Sequence, residues 1–193
     1  LITYQADLSN LADIESTADT IVKRFETIDL LINNAALQYT PTLLDDDFRY
    51  ETIAHEINAN FTSVCSLSYL LLPALLHEDK ATILNVNSGL ALAPKTTSAI
   101  YCATKAAMNN FSISLRYQLE KTNISVQQAF LELVDTAMTT GRGKNKMSSE
   151  KAAEKIILGI QQDIQDHYIG KTSLLRFLLR LSPSMAQRIM KKY

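Results

Sequence analysis

Tyr101 and Lys105 lie four residues apart in the 193-residue chain, and their side chains are suited to proton transfer. Residues at this spacing share one face of a helix, so the phenol and the ammonium would be neighbours. A free phenol, with a pKa of about 10, is a poor base at neutral pH, and a nearby cation favours the phenolate and lowers that pKa. Ser88, thirteen residues before the tyrosine, could hold a substrate oxygen beside the phenol. These three side chains indicate a proton-transfer site for an alcohol or a carbonyl compound.

A Tyr-x-x-x-Lys pair alone says little, because it occurs often on exposed helices, and Ser88 alone could be a turn serine before a glycine. The neighbouring segments strengthen the interpretation. An apolar run over residues 28–32 ends in Asn-Asn-Ala-Ala at 33–36, and a second run over residues 81–87 ends at Ser88. Both runs are typical of buried strands. Between them, Asn60 lies in a helical stretch.

In this order and spacing, the segments resemble the short-chain dehydrogenase/reductase family over nearly the whole chain. The runs at 88–91, 101–107, 134–139 and 141–144 are most similar to its bacterial DltE-like branch. The resemblance implies an α/β fold with a three-layer, Rossmann-like parallel sheet. It also implies a nucleotide cofactor, NAD or NADP, and the interconversion of a secondary alcohol and a ketone. The residues leave open which nucleotide and which substrate are used.

The resemblance gives each residue of the candidate catalytic set a role. Tyr101 would donate the proton in reduction and accept it in oxidation, while Lys105 would lower its pKa and bind the nicotinamide ribose. Ser88 would orient the substrate oxygen, and Asn60 would hold a water that relays protons to the lysine. Asn58 is an alternative to Asn60, which is favoured because it lies 28 residues before Ser88. For each residue, an ordinary helix or turn position is the competing interpretation.

The resemblance also implies cofactor-binding residues, which are Asp7, Asn34, Ala35, Ala36, Tyr101, Lys105, Val134 and Thr136. Asp7 would bind the adenine amino group, and Val134 and Thr136 would bind the nicotinamide carboxamide. The sequence departs from the family twice, since Ala36 replaces a glycine and residues 131–132 are Leu-Glu where the family has Pro-Gly or Pro-Pro. Proline fixes φ and glycine permits unusual angles, so the second departure puts the seating of the nicotinamide in question.

The amino-terminal part of the family's fold has no counterpart in this sequence. The five glycines form no G-x-x-x-G-x-G loop, which in the family follows the first strand and binds phosphate. We therefore expect a sheet truncated at the amino terminus, with the first two strands absent. Residues 1–7 would be the third strand of the family order 3-2-1-4-5-6-7, and the strand at 28–33 would be the fourth. Without the two strands between them, residues 1–7 would be displaced or move in beside residues 28–33.

Hydrophobic periodicity predicts one partial domain over residues 1–193, in which strands and helices alternate. Strands are expected at 1–7, 28–33, 82–87, 124–130 and 167–172, and loops at 37–48 and 88–98. Helices are expected at 10–26, 48–77 and 99–121, after a cap at Ser148, and at the carboxyl terminus. The alternation predicts a parallel sheet with right-handed crossovers.

Composition narrows the class of protein. A hydrophobic content of 47% and a charged content of 20% are ordinary for a globular domain, and a net charge of −1 provides no field that would recruit nucleic acid. Two cysteines give no disulfide framework, and three scattered histidines have no metal-binding spacing. No run approaches the roughly 18 apolar residues of a membrane span, and we find no signal peptide. A reduced, cytoplasmic setting is the default expectation.

Two basic segments could contact partners. Residues 171–193 contain six basic residues and no acid, interleaved with leucines, which is typical of a helix on an anionic membrane. Packing of this tail on the domain or on a second subunit is the favoured alternative. Arg142, Lys144 and Lys146 form a loop that could meet a phosphate, although a solvated lid is the favoured interpretation.

The leading hypothesis is an NAD(P)-dependent oxidoreductase that acts on a small alcohol or carbonyl compound. The resemblance implies a homodimer or homotetramer built on the helices at 48–77 and 99–121, where Ala103, Ala106 and Ala107 would allow close approach. The alternative is a catalytically inactive fragment or pseudoenzyme that acts as a binding or assembly module. The lack of a glycine-rich loop favours this alternative if the chain is the whole protein.

Overall fold

The computed structural model describes residues 1–192, so Tyr193, the last residue of the predicted basic tail, lies outside the described residues. The strands are β1 (Leu30–Asn33), β2 (Ala81–Ser88), β3 (Ile124–Leu131) and β4 (Asp166–Tyr168). The helices are α1 (Leu11–Arg24), α2 (Glu51–Ile57), α3 (Ser63–Leu70), α4 (Leu72–Leu75), α5 (Ala99–Gln118), α6 (Ser149–Gln161), α7 (Thr172–Leu181) and α8 (Pro183–Met190). A π-helical turn, Asn58–Thr62, joins α2 to α3, and 3-10 turns span Gly89–Ala91 and Ala137–Thr139.

The four strands form one parallel sheet in the order β1-β2-β3-β4, as the alternation of strands and helices predicts. The two central strands pair along their whole length, from Ala81 opposite Ile124 to Ser88 opposite Leu131. Since all strands are parallel, their carboxyl ends meet at one edge of the sheet. Chemistry-bearing residues that follow different strands are brought together there.

Helices cover both faces of the sheet, so the fold has three layers. On one face, Ile83 of β2 packs in a core with residues of α1, α3 and α5, among them Leu115. On the opposite face, Leu84 of β2 and Ala129 of β3 pack against Ala152 of α6. Successive side chains of a strand point to opposite faces, which is why adjacent residues of β2 belong to separate cores.

The two connections that follow β2 have opposite hands. Along the sheet, the chain steps in the same direction from β2 to β3 and from β3 to β4. The helix of the first connection, α5, lies on one face, and the helix of the second, α6, lies on the other. Only one of the two connections can therefore be right-handed. The expectation that all crossovers are right-handed is wrong.

Residues 1–7 do not form the expected strand. They have no sheet partner, are mostly exposed, and lead into a turn before α1. In that turn the Asp7 carboxylate accepts hydrogen bonds from the Ser9 backbone (2.8 Å) and hydroxyl (2.7 Å), and the Asn10 side chain caps α1. The expected displacement occurs, but the segment does not move in beside β1. A strand without a partner leaves its backbone groups to water, so an extended sequence alone does not make one.

The predicted helix over 48–77 is divided. The π-helical turn and the short helix α4 interrupt it, and Pro73 lies at the beginning of α4. The expected cap of α6 is present, because the Ser148 hydroxyl accepts a hydrogen bond from the Lys151 backbone N–H at 3.2 Å. Within residues 1–192, the helices are too short or too polar to cross a bilayer.

A chain of buried polar side chains ties the sheet to α5. Asn33 of β1 donates to Asn85 of β2 at 2.8 Å, and Asn85 donates in turn to Ser112 of α5 at 2.8 Å. Asn85 and Ser112 are fully buried, and their hydrogen bonds offset the cost of removing polar groups from water. This series of hydrogen bonds fixes the position of α5 along the strands. Helix α5 in turn carries Tyr101 and Lys105.

Candidate active site

A cavity of about 500 Å³ opens at the carboxyl ends of the strands, within the size range of small-molecule sites. Ser88 reaches it from the end of β2, and Tyr101 and Lys105 reach it from the first two turns of α5. The segment after β3 contributes Val134 and Thr136. The sequence-predicted residues that line it are Asn34, Ala35, Ala36, Ser88, Tyr101, Lys105, Val134 and Thr136.

Tyr101 and Lys105 are neighbours, as their spacing predicts, but their electrostatics differ from the expectation. The Lys105 Nζ lies 5.7 Å from the centre of the Tyr101 ring. Burial raises the pKa of Tyr101 to about 12, and the Ser88 side chain acts in the opposite direction without cancelling the effect. The pKa of Tyr101 in this structure therefore lies above that of a free phenol, because burial penalises the phenolate more than its neighbours stabilise it. That Lys105 lowers the pKa of the tyrosine stays a prediction.

Lys105 is a buried cation with hydrogen-bonding capacity to spare. Its side chain is 2% exposed, and burial lowers its pKa to about 8. The Nζ donates one hydrogen bond, to the Val86 carbonyl of β2 at 2.9 Å. Because an ammonium has three N–H donors, two are left without an acceptor among the described residues and remain for a molecule bound in the cavity.

Asn60 is not among the residues that line the cavity, but its side chain binds the loop at the cavity rim. The fully buried side chain accepts from the Leu37 backbone N–H and donates to the Leu37 carbonyl, both at 2.8 Å. Its amide nitrogen also lies 3.4 Å from the Thr104 hydroxyl. Asn58, the alternative candidate, accepts only a long bond from Thr62, at 3.4 Å. The Asn60 amide is thus committed to the loop that follows Ala36.

Asp7 is not among the residues that line the cavity. Its exposed carboxylate is engaged by Ser9, and those hydrogen bonds lower its pKa. The assignment of Asp7 to the cofactor depends on a strand that the structure lacks, because without the strand the side chain has no fixed place at the edge of the sheet.

Glu132 replaces the conformationally special residues of the family pattern and lines the cavity. Its carboxylate lies 4.0 Å from the Lys171 Nζ and packs against Gly170, where any side chain would collide with it. Gly170 also has a φ of +71°, in the left-handed region that favours glycine. Glu132 therefore fits at this position because residue 170 is a glycine.

Sequence reasoning missed several residues of the site. Lys95 and Gln38 line the cavity, and Arg142, which was expected in a solvated lid, lines it too. Lys95 could have been predicted to line the cavity, because it lies in the predicted loop between Ser88 and the helix that carries Tyr101. Lys146 is also not free in solvent, since it pairs with Asp135 at 3.0 Å.

Glu56 was also missed, although it lies one helical turn before Asn60. Only 2% of this residue is exposed, and its carboxylate accepts a hydrogen bond from the Tyr39 backbone at 3.2 Å. Burial raises the pKa of Glu56 to about 7. The acid thus titrates near neutrality and acts electrostatically on Tyr101.

Two other sequence-based expectations concern Cys102 and metal ions. Cys102 is 3% exposed and packs as a small core side chain, as expected. Among residues 1–192, no group of three or more His, Cys, Asp or Glu side chains is arranged to hold a metal ion.

Comparisons with known proteins agree with this geometry. The profile of the family described as short chain dehydrogenase matches residues 1–147. The chain is 30% identical over 170 residues to the uncharacterized oxidoreductase DltE of Bacillus subtilis, an alignment that covers 85% of this chain and 68% of that protein. It is 30% identical over 187 residues to the 11-beta-hydroxysteroid dehydrogenase-like 3 protein of Arabidopsis thaliana, covering 92% of this chain and 59% of that one.

A solved structure supports the fold. A short chain dehydrogenase from Burkholderia cenocepacia, in complex with NADP, superposes with a TM-score of 0.82 at 21% identity and covers 96% of this chain and 76% of that one. The profile match spans most of the chain, and the order of Ser88, Tyr101 and Lys105 around one cavity is consistent with it. The chain belongs to the short-chain dehydrogenase/reductase family of oxidoreductases, as a DltE-like member.

Proposed function

We propose that the protein is an NAD(P)-dependent oxidoreductase that interconverts a secondary alcohol and a ketone. The observation that carries the proposal is the buried Lys105 ammonium, with two uncommitted donors, beside Tyr101 and Ser88 in one cavity. A buried charge without a partner is costly to a fold, and groups with such shifted pKa values concentrate at functional sites. Family membership supports the reaction class.

The residues present fit the nicotinamide half of NAD or NADP. The free Lys105 donors suit ribose hydroxyls, and Val134 and Thr136, which line the same cavity, would bind the carboxamide. Asn34, Ala35 and Ala36 also line the cavity, and they would contact the rest of the nucleotide. When bound, the cofactor would supply or accept the hydride. The similar Burkholderia enzyme holds NADP, but the choice between the two nucleotides is open for this chain.

The chain's own residues would move the proton. In reduction, the Ser88 hydroxyl would hold the ketone oxygen and the Tyr101 phenol would protonate it, giving the alcohol. A pKa of about 12 keeps the phenol protonated at neutral pH, so Tyr101 is ready as an acid. In oxidation, Tyr101 would have to lose its proton first.

Asn60 acts in the proposal mainly by positioning. Its amide is engaged with Leu37, so a water that feeds Lys105 would be held by the Asn60 backbone and not by its side chain. Asp7, which lies away from the cavity lining, is left out of the proposed cofactor site.

The first test is binding of NADPH and NADH to the purified chain, followed by nicotinamide fluorescence, together with ketone reduction. Tyr101→Phe should lower the reduction rate by roughly 100-fold or more, since general acid catalysis typically contributes this much. Tyr117→Phe, on an exposed tyrosine of the same helix, is the matched control and should leave the rate unchanged. Saturable binding with equal rates for wild type and Tyr101→Phe would refute the assigned role of the tyrosine.

The alternative function is a binding or assembly module without catalysis. The observation that favours it is the uncovered β1, where Leu30 is 40% and Ile32 is 45% exposed. Such a strand could pair with another chain. A folded protein that binds neither nucleotide would support this alternative over the oxidoreductase.

Partners are proposed on exposed helical faces. Self-association through α3 and α5 is supported by the exposed Tyr69 and Tyr117 and by the small residues Ala103, Ala106 and Ala107 along α5. Sedimentation would distinguish a monomer from a dimer or a tetramer.

We propose a small-molecule substrate and a cytoplasmic setting, with one partial domain over residues 1–193.

Membrane contact through the carboxyl-terminal tail is the weaker proposal. Leu174, Phe177 and Leu181 of α7 are 59%, 57% and 66% exposed at helical spacing, next to basic side chains. Such a face can lie on an anionic bilayer. Salt-sensitive sedimentation with vesicles of anionic lipid tests it, and packing against a second subunit remains the favoured alternative.

A further inference from the structure

We infer that Lys95 and Arg142 form a subsite for an anionic group of the substrate, so the carbonyl or alcohol compound carries a carboxylate or a phosphate. The inference rests on the proposed function and adds the chemical class of its substrate. It depends on where the two cations lie, on how they are held, and on the absence, among residues 1–192, of an acid that pairs with them.

Both cations face the space in which the proposed reaction occurs. Lys95 lies between β2 and α5, six residues before Tyr101, and Arg142 lies between β3 and α6. They line the same cavity as Tyr101 and Ser88. Lys95 also acts on the thiol of Cys102, the residue that follows the tyrosine. The pair is thus near the phenol, where the proposed function requires the substrate to bind.

Arg142 is held in place before any ligand binds. One guanidinium nitrogen donates to the Gln38 side chain at 2.7 Å, and a second donates to the Met138 carbonyl. The bond to Gln38 joins two loops that are distant in sequence, and the bond to Met138 lies within one segment. Other guanidinium N–H donors are left uncommitted among the described residues. An arginine with an ordered, planar fork is well suited to a carboxylate or a phosphate.

The charge of the two residues is not balanced by an acid of the described chain. The acid that lines the cavity is Glu132, and its carboxylate is 4.0 Å from Lys171. Within residues 1–192, neither Lys95 nor Arg142 has a carboxylate within 4.0 Å. Burial lowers the pKa of Lys95, and the charge of Arg142 lowers it further. Two like charges that repel across a half-buried cavity are relieved by a bound anion.

The test compares matched ligand pairs that differ in the presence of one anionic group. The pairs are acetoacetate with ethyl acetoacetate, and dihydroxyacetone phosphate with dihydroxyacetone. Dissociation constants are measured calorimetrically on the Tyr101→Phe protein saturated with cofactor, so that turnover does not interfere. We expect the anionic member of at least one pair to bind roughly tenfold tighter, the size of one charge-assisted contact. The pair with the larger difference identifies carboxylate or phosphate as the preferred group.

Two variants assign the effect. Lys95→Met and, separately, Arg142→Met should remove the preference for the anion and leave binding of the neutral ligand unchanged. Lys144→Met, an exposed residue of the same loop as Arg142, is the control. Thermal melts of each variant identify any loss of folding, and the Lys95 variant breaks no hydrogen bond of the fold. Equal binding of charged and neutral partners, or an anion preference that survives both variants, would overturn the inference.

These measurements separate failure of the subsite from failure of the proposed function. Binding of the ligand pairs does not require catalysis. Absence of hydride transfer from both NADPH and NADH by the protein with Tyr101 intact would count against the oxidoreductase, whatever the ligand preference.

Discussion

The two sides of β2 differ in how well the chain covers them. On the β3 side, helices pack on both faces, and residues such as Leu84 and Ala129 are fully buried. On the β1 side, Leu31 packs into a core, but Leu30 and Ile32 are exposed, and the outer edge of β1 has no strand beside it among residues 1–192. Among the described residues, helices thus cover both faces of β2 and β3, whereas β1 has one exposed face and one unpaired edge.

The catalytic candidates belong to the covered side. Ser88 ends β2, and α5, which carries Tyr101 and Lys105, packs on β2 and β3 through a buried polar chain. The proton-transfer groups are therefore supported mainly by β2 and β3, and β1 adds one hydrogen bond to this support, from Asn33 to Asn85. Substitutions on the two sides should have very different consequences, and four predictions test that contrast.

The largest effect is expected at Lys105. Lys105→Met should reduce ketone reduction by roughly 100-fold or more, because the cation that supports proton transfer is lost. The same variant should be more stable at pH 7 by about 1–2 kcal/mol, since the native pKa of about 8 lies below the unfolded value and a buried charge is removed. Rates and urea melts measure the two effects, with the exposed Lys121→Met as control. Lost activity together with lost stability would contradict the prediction.

The next effect is expected at the loop that Asn60 holds. Asn60→Ala should destabilise the protein by roughly 3 kcal/mol, because the Leu37 N–H and carbonyl lose their partners in a buried site. Asn58→Ala, two residues away with one long bond, should cost less than about 1 kcal/mol. Urea unfolding of both variants makes the comparison. Equal losses would mean that the two asparagines have similar roles.

Glu56 should make stability depend on pH. Its native pKa of about 7 lies above the unfolded value, so the folded state binds more protons between about pH 4.5 and pH 7. The free energy of unfolding should therefore fall as the pH rises through this window, by about 2 kcal/mol. Glu56→Gln should flatten that part of the curve, whereas Glu51→Gln, an exposed acid of the same helix, should not. A slope that persists in Glu56→Gln would show that other groups cause it.

The smallest effect on stability is expected on the uncovered side. Ile32→Lys should change the free energy of unfolding by no more than about 0.5 kcal/mol, because the side chain is already half exposed. It should lower concentration-dependent association, since a charge beside a free strand edge discourages pairing. Light scattering measures this against Leu31→Lys, which should unfold the protein because Leu31 packs into the core. A large loss of stability in Ile32→Lys would mean that β1 is covered in solution.

The sequence predicts the parts of this fold that local pattern controls. Helices α1, α5 and α6 and strands β1 to β3 lie within a few residues of their predicted positions, because periodicity and caps are local signals. The strand predicted at residues 1–7 is absent because a strand requires a partner. No local feature of the sequence indicates whether such a partner exists. The polar residues Asn85, Gln127 and Gln128 are also fully buried inside strands, which their composition alone does not indicate.

The site shows the same division. Ser88, Tyr101 and Lys105 could be found because their spacing follows strand and helix geometry. Lys95 and Arg142 lie on loops whose paths are set by tertiary contacts such as the bond between Arg142 and Gln38, 104 residues apart. Glu56 could have been found from its spacing to Asn60, but its burial could not.

The π-helical turn at Asn58–Thr62 has a consequence for how this chain can vary. Such a turn is equivalent to one residue inserted into an α-helix, which rotates the next helical segment by about 100°. Before it, α2 directs Glu56 toward the rim of the cavity; after it, α3 packs against α1. Deletion of a single residue here would straighten the helix and turn one of these faces away from its partner. Because of the extra residue, the cavity-facing residues of α2 and the core-facing residues of α3 lie on different helical faces. Substitutions can therefore alter one face without altering the other.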